Sequence, residues 1–264
     1  MRANIQKYIR QFLFLYLLAI FSSATEAAKL ASIIIDDIGN SYEYGQAVIN
    51  LPAPITLSIL PKTEFAAQLA TQAYNASKEV MLHLPLQSIE HHKPTPGTLK
   101  LHMTRQQFSQ QVKDNIASVP YIRGINNHMG SLLSQHPGHM DWLMAEVAKH
   151  NNMFFVDSLT SSKSVITEMA TAHQVPNLVR DVFLDPDFEP DTIHKQFDQF
   201  IDLVNKNGHA IAIAHPHPST LSFLKDNLSR LAENGIELVP VSKLLELRGD
   251  ENHVTCTGPT CSGL

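Results

Sequence analysis

Ser32-Ile33-Ile34-Ile35-Asp36-Asp37-Ile38-Gly39-Asn40 is the stretch on which the reading of this chain turns. Ser32 to Ile35 favour extended backbone and are mostly apolar, as in a buried strand. The run stops at two adjacent carboxylates. Gly39 and Asn40 then supply a turn, and Tyr42 to Asn50 follow with helical spacing. Strand, acids, turn and helix in that order describe the edge of an α/β fold, where chemistry gathers at strand C-termini. Two neighbouring carboxylates do not both ionise cheaply unless a cation lies on them or one shifts its pKa. Capping of the next helix accounts for one Asp and leaves the second unexplained.

Working outward, strand-like and helix-like segments alternate. Further strands are expected at Ile55 to Leu60, Glu79 to Leu84, Ile122 to Asn126, Met153 to Val156, Leu178 to Leu184, Ala210 to Ala214 and Ile236 to Val241. Helices are expected at Phe65 to Asn75, from Thr104 to Ser118, and from Pro137 to Asn151. Others follow at Ser162 to His173, Asp191 to Asn207, Ser219 to Asn234, and in a short turn reaching Arg248. Thr104 with Gln107 reads as a capping box, and Gly208 as a helix stop. Ser88 to Leu101, with Pro94, Pro96 and Gly97 and no periodicity, reads as a long surface loop. This alternation predicts a parallel sheet, closed or nearly closed into a barrel.

The ends read differently. Arg2, Lys7 and Arg10 precede the apolar run Phe12 to Phe21, and Ser22-Ser23-Ala24 then offers small residues for cleavage. That predicts a signal peptide over residues 1–24, with an uncleaved N-terminal anchor as the alternative, a domain over 25–248 and a flexible polar tail over 249–264. The apolar run is shorter than the ~20 residues a membrane span needs. The mature chain is therefore expected in the periplasm or outside the cell, with no stable membrane anchor after cleavage. A net charge of -5 with scattered basic residues gives no sign of a nucleic-acid surface, and no nucleic-acid partner is expected. Cys256 and Cys261, the two cysteines, flank Thr257-Gly258-Pro259-Thr260. A disulfide there would close a short loop and stabilise little beyond it, and the sequence leaves bonded and free forms open.

Ionisable and polar residues collect where apolar strands stop: Asp36, Asp37, His83, Asn127, His128, Asp157, Arg180, Asp181, His215 and His217. In a parallel barrel all these ends face one mouth. Each has a plain reading alone: His83 as a bonded core residue, His128 serving a turn, His215-Pro216-His217 capping a helix. Jointly they suit metal chemistry. Asp with two His is a good ligand set for Zn²⁺ or a similar ion, with an open position left for water. Asp37 as ligand and Asp36 as base would explain why the acids adjoin, and a protonated His would serve the leaving group.

Taken in order, Ile33-Ile34-Ile35-Asp36-Asp37-Ile38-Gly39, His83-Leu84-Pro85-Leu86, Asn126-Asn127-His128-Met129-Gly130-Ser131, Asp157-Ser158, Arg180-Asp181 and His215-Pro216-His217 resemble the divergent polysaccharide deacetylase family. That family is a branch of the carbohydrate esterase family 4 type of fold. The resemblance spans nearly all of the mature chain. It implies a distorted (β/α) barrel with mostly parallel strands and metal-dependent N- or O-deacetylation of an envelope or extracellular polysaccharide, with a glycan as partner and a divalent metal, zinc first, as cofactor. Carried over residue by residue, it makes Asp36 the base, Asp37 a metal ligand and His215 the acid, with His217 its competitor. The wider family keeps its two metal histidines in one His-x-x-x-His motif. This chain has none at a strand end, and His83 and His128, on separate strands, are the nearest equivalents. Asn127, Asp157, Arg180, Asp181 and His217 are expected to contact substrate or support the ligands. The alternative is a catalytically inactive glycan-binding or envelope protein on the same barrel. A phosphoesterase is disfavoured, because the strand ends offer one Arg and no Gly-rich anion cradle.

Overall fold

In the computed structural model, which describes residues 28–90 and 95–254 and side chains as far as Leu247, the opening stretch forms an interior strand of the sheet, paired on both edges. The expected signal peptide and the Cys256–Cys261 pair lie outside the described residues. The chain runs β1 (Lys29–Ile38), α1 (Tyr42–Ile49), β2 (Thr56–Ile59), α2 (Ala66–Asn75), β3 (Val80–Leu86), α3 (Arg105–Ser118), β4 (Ile122–Met129), α4 (Pro137–Val147) and β5 (Phe154–Asp157). It continues with α5 (Ile166–Ala172), β6 (Asn177–Val179), β7 (Val182–Phe183), α6 (Pro190–Asn207), β8 (His209–Ala214), α7 (Pro218–Asn227), α8 (Ser229–Glu233), β9 (Ile236–Leu238) and α9 (Val241–Val254).

The sheet order is β6-β5-β4-β3-β2-β1-β8-β7, with β9 added to β1, and the pairings are parallel. β6 and β7 stand at opposite ends of that order yet follow one another in the chain. Sequence reading expects a single strand from Leu178 to Leu184. Instead the segment pairs first with β5 and then, after Arg180 and Asp181, with β8. Here the Asp181 carboxylate accepts the Ile211 N–H at 2.8 Å, in place of a strand partner. One stretch of chain thus bridges the seam and draws the curled sheet into a distorted (β/α) barrel.

Two apolar layers hold it. Ile33, Ile34 and Ile35 are all fully buried, Ile34 inside the barrel and its neighbours beneath the helices. A strand buried on both faces needs an unbroken apolar run, which is what this sequence carries. Each such side chain contributes roughly 1.5–3 kcal/mol relative to exposure. The inner layer comprises Leu30, Ile34, Met81, Phe154, Val156, Leu178, Ile211 and Ile213, closed from below by Val241 and Leu244. Gly124 belongs to this arrangement, because a Cβ there would stand 2.3 Å from the Phe154 ring. Glu79 fixes the floor: it accepts the Ser242 N–H at the start of α9, and the Thr56 hydroxyl at 3.1 Å.

Several boundaries move. β1 continues through both acids to Ile38, and β4 runs on to Met129. The helix expected over Ser219 to Asn234 breaks at Leu228 into α7 and α8, and α9 extends past Arg248 to Val254. The described parts of the Ser88–Leu101 segment, 88–90 and 95–101, are irregular, but the far end is not a surface loop. Leu99 bridges to Leu86 and is fully buried. Thr104 and Gln107 form the expected capping box, and Gly208 ends α6 at φ 81°.

Candidate active site

Strand alternation sends every second residue into the barrel. On β1 that set is Leu30, Ser32, Ile34 and Asp36. On β3 it includes Met81 and His83, and on β4 Gly124, Asn126 and His128. Position 180 continues β6 from Leu178, and position 215 continues β8 from Ile211 and Ile213. The inner face is therefore apolar below and polar at the strand C-termini. Asp37 is out of step with this pattern and should point outward with Ile35. It does not, because three steps of β1 from Ile35 to Ile38 oppose two of β2 from Leu57 to Ile59. The extra residue is a bulge, and Asp37 takes φ 58° within it. The bulge brings both carboxylates into the mouth. Gly39 (φ 128°) then turns the chain where a Cβ would meet the Thr63 hydroxyl.

Asp37 Oδ1 lies 3.2 Å from His83 Nε2 and 3.0 Å from His128 Nδ1. This oxygen is buried and meets no donor in hydrogen-bonding geometry. Among the described residues these three offer ligand atoms mutually within 4.8 Å. In a tetrahedral zinc site with bonds of about 2.0–2.1 Å, ligand atoms lie roughly 3.3–3.4 Å apart. A buried, orphaned carboxylate oxygen facing two imidazole nitrogens at nearly that spacing fits a divalent cation. The outer nitrogens are committed elsewhere. His83 Nδ1 donates to Asn126 Oδ1 at 2.8 Å, and His128 Nε2 lies 3.3 Å from Thr95 Oγ1. Partners of this kind set the tautomer and aim the free lone pair inward.

Asn126 joins the two halves of the site. Its Oδ1 accepts from Ser58 at 2.5 Å and from His83. Its Nδ2 donates to Asp36 Oδ1 at 2.8 Å and to Ser158 Oγ at 3.3 Å. All four hydrogen-bonding positions of the amide are used, wholly inside the barrel. Burial raises the Asp36 carboxyl above the usual range, and the charges of His83 and His215 offset this only in part. Burial also acts to raise Asp37, but His128 and His83 beside it hold its carboxyl well below the usual range. His83 is raised: burial opposes its charge, and Asp36 and Asp37 outweigh burial.

Across the mouth, His215 Nε2 is 3.9 Å from Asp37 Oδ2, and its Nδ1 donates to Asp185 Oδ1 at 3.0 Å. Burial would lower its pKa, but the Asp185 bond and the charges of Asp36, Asp185 and Asp37 push it up to about 9. Arg180 donates through Nε to the Ser158 carbonyl at 2.9 Å and packs over Phe183.

A cavity of about 520 Å³ opens over these groups. Asp36, Asp37, His83, Asn127, His128, Arg180 and His215 line it, together with Met129, Leu159 and Phe183. Three of the residues expected to contact substrate or support the ligands are not on the cavity wall. The Asp157 carboxylate accepts the Leu159 N–H and braces the loop after β5. Asp181 serves the seam. His217 caps α7, accepting the Ser219 N–H. Asn127 is on the cavity wall, but its amide is engaged by Met129, Thr160 and the Ser158 N–H. Sequence reasoning passed over Asp185 and Asn126. Asp185 carried the same signal as the others, an acid directly after an apolar strand and before a proline. Asn126 sat inside a quoted motif, and only the inward register of β4 distinguishes it from Asn127.

The model of the divergent polysaccharide deacetylase family matches residues 33–245 of this chain. An uncharacterized protein of Escherichia coli (strain K12), YibQ, is 35% identical over 224 residues, covering 85% of this chain and 69% of that protein. Among solved structures, an uncharacterized protein from Agrobacterium tumefaciens C58 has a TM-score of 0.79 at 22% identity, covering 84% of this chain and 91% of that one. A CE4 family pseudoenzyme from Bacillus anthracis has a TM-score of 0.50 at 16% identity, covering 83% and 66%. These two structural likenesses concern the fold.

Proposed function

Because the chain belongs to the divergent polysaccharide deacetylase family, we propose that it is a metal-dependent deacetylase that removes acetyl groups from a polysaccharide of the cell envelope or extracellular space. The observation that carries this is Asp37 Oδ1, a buried acceptor without a donor, facing His83 Nε2 and His128 Nδ1. Those three atoms would hold the cation, zinc first by the chemistry of the donor set. When bound, it supplies Lewis acidity toward the acetyl carbonyl and eases ionisation of water.

The residues of the chain do the rest. Asp36 is raised by burial and is therefore a stronger base than an ordinary carboxylate, and it takes the proton of the attacking water. Asn126 holds Asp36 by one oxygen and leaves the other, 3.6 Å from His83 Nε2, toward the cavity. Water oxygen bonds to the acetyl carbon as the bond to the sugar nitrogen or oxygen breaks. His215 is protonated at neutral pH and gives its proton to that departing atom. Acetate and a free amine or hydroxyl are the products. Arg180 keeps positive charge near Asp36 and shapes the wall through Phe183.

A glycan-binding protein without turnover would not need a base, a ligand trio and a protonated His around one cavity, and no residue of the site favours that reading. The test pairs metal analysis of the purified protein with acetate release from acetylated glycans, for wild type and Asp37→Ala. Wild type is expected to carry about one cation per chain and to release acetate, and Asp37→Ala to do neither. Metal present with no acetate from any envelope glycan would overturn the reading. Export to the periplasm or beyond follows from the leader-like first 24 residues and is checked by the N-terminus of the mature protein.

A further inference from the structure

Positive φ in a bulky side chain is unfavourable and persists only where the surroundings impose it. Ser77 and Gln174 take it just past the C-caps of α2 and α5, where a left-handed residue is ordinary. Met129, Leu159 and Phe188 are different. At φ 54°, 51° and 60° they occupy the end of β4 and the loops that follow β5 and β7, around the mouth. Met129 and Leu159 line the cavity. Phe188 stands at the rim, 38% exposed, and its position is built. The Ser219 hydroxyl donates to the Phe188 carbonyl at 2.8 Å, and one face of the ring stacks on His217 at 4.5 Å and 27°. Its edge approaches His215 at 6.1 Å, and Phe183 meets the same His215 ring at 5.4 Å from within the cavity. A strip of four rings therefore leads from the cavity wall, past the proposed acid, to the surface.

The acid serves the departing atom. In deacetylation that atom belongs to the sugar, while the acetyl carbon stays over the ligand trio. The sugar must therefore lie on the His215 side, where Phe188 is. One face of a pyranose presents mainly C–H bonds, which pair with the electron-rich face of an aromatic ring. We propose that the Phe188 ring, backed by His217, is the platform on which the leaving-group sugar stacks, and that it selects pyranose-based substrates. The orientation of the sugar rests on the deacetylase reading. The strained backbone of Phe188 keeps this ring outward. His217 acts by supporting it, with no part in proton transfer.

The test uses the metal-loaded protein with Phe188→Ala and Phe188→Trp. Acetate release is followed on an N-acetylglucosamine tetramer and an O-acetylated xylose tetramer. Binding is titrated calorimetrically with the corresponding acetyl-free tetramers, which do not turn over. Phe188→Ala is expected to raise KM and Kd roughly tenfold, as loss of one aromatic contact implies, with kcat within about twofold. Its melting temperature should stay within about 2 °C, since the ring is at the surface. Phe188→Trp should bind at least as tightly as wild type, and its emission should shift to the blue on titration. Unchanged KM and Kd in Phe188→Ala, with acetate release intact, overturns the platform and leaves the deacetylase reading standing. Binding that depends on Phe188 without acetate release overturns the deacetylase reading and retains the platform. Neither binding nor release with either sugar overturns both.

Discussion

His215 and Asp185 are joined twice: the ring Nδ1 donates to one carboxylate oxygen at 3.0 Å, and the His215 backbone N–H donates to the other at 2.7 Å. Thr220 adds a third bond to Asp185, whose side chain is fully buried. The imidazole is thus fixed in direction, with Nε2 toward the cavity, and its protonated form is favoured.

That pair sets a pH profile. His215 must be protonated to act as acid, and its pKa is pushed up to about 9, so kcat/KM should fall as pH rises through about 9. On the acid side, activity should fall as Asp36 gains a proton, at a pH above the usual carboxylate range because burial raises it. Asp185→Asn removes the charge that favours imidazolium. The basic limb should move to lower pH while the acid limb holds its place. A basic limb that does not move would remove His215 from the role of acid.

Asp37 combines a ligand atom with a left-handed backbone. Asp37→Ala and Asp37→Gly should both abolish cation binding. Alanine at φ 58° is strained where glycine is not, so Asp37→Gly should be the more stable by about 1 kcal/mol in urea unfolding. Equal stabilities would show that the bulge relaxes once the carboxylate is gone.

Asn126→Leu removes the hydrogen-bond partner of the Ser58 hydroxyl, His83 Nδ1 and Asp36 Oδ1 inside the barrel. At about 1–3 kcal/mol for each orphaned group, the loss should reach at least about 3 kcal/mol. Cation affinity should fall on the order of 10–100-fold, because nothing then holds the His83 proton on Nδ1. Chemical denaturation and metal titration measure the two effects separately. A loss below about 1 kcal/mol would contradict the network.

Cation uptake should release protons. His83 is raised by Asp36 and Asp37, so it keeps its proton to higher pH than an ordinary imidazole, and the cation must displace that proton. Affinity should therefore strengthen as pH rises. The apparent enthalpy of binding should differ between buffers of different ionisation enthalpy, with a slope equal to the protons released. A slope of zero would place the cation away from His83.

The fold was largely legible in the chain. Ile33-Ile34-Ile35 can be apolar without interruption only where both faces of a strand are covered, and that condition selects a parallel sheet wrapped by helices. Thr104 with Gln107 and the stop at Gly208 marked helix ends because capping is local chemistry. Asp37, His83, His128 and His215 were visible as polar residues that end apolar runs. Arg180 and Asp181 were also visible, but as part of a continuous strand. Nothing local distinguishes a strand that keeps one partner from a strand that changes partners across a seam.

By itself the sequence determined the barrel class and the residue types at its mouth, since periodicity, caps and strand ends depend on near neighbours in the chain. Tertiary structure decided which of those residues meet. The bulge between Ile35 and Ile38 turned Asp37 inward, the register of β4 chose Asn126 over Asn127 as the hub, and the loop after β7 gave His215 its Asp185. Each is a matter of register or long-range approach, set by how strands pair and how loops return. A one-residue shift in pairing reverses which face a side chain occupies, and no local propensity records it.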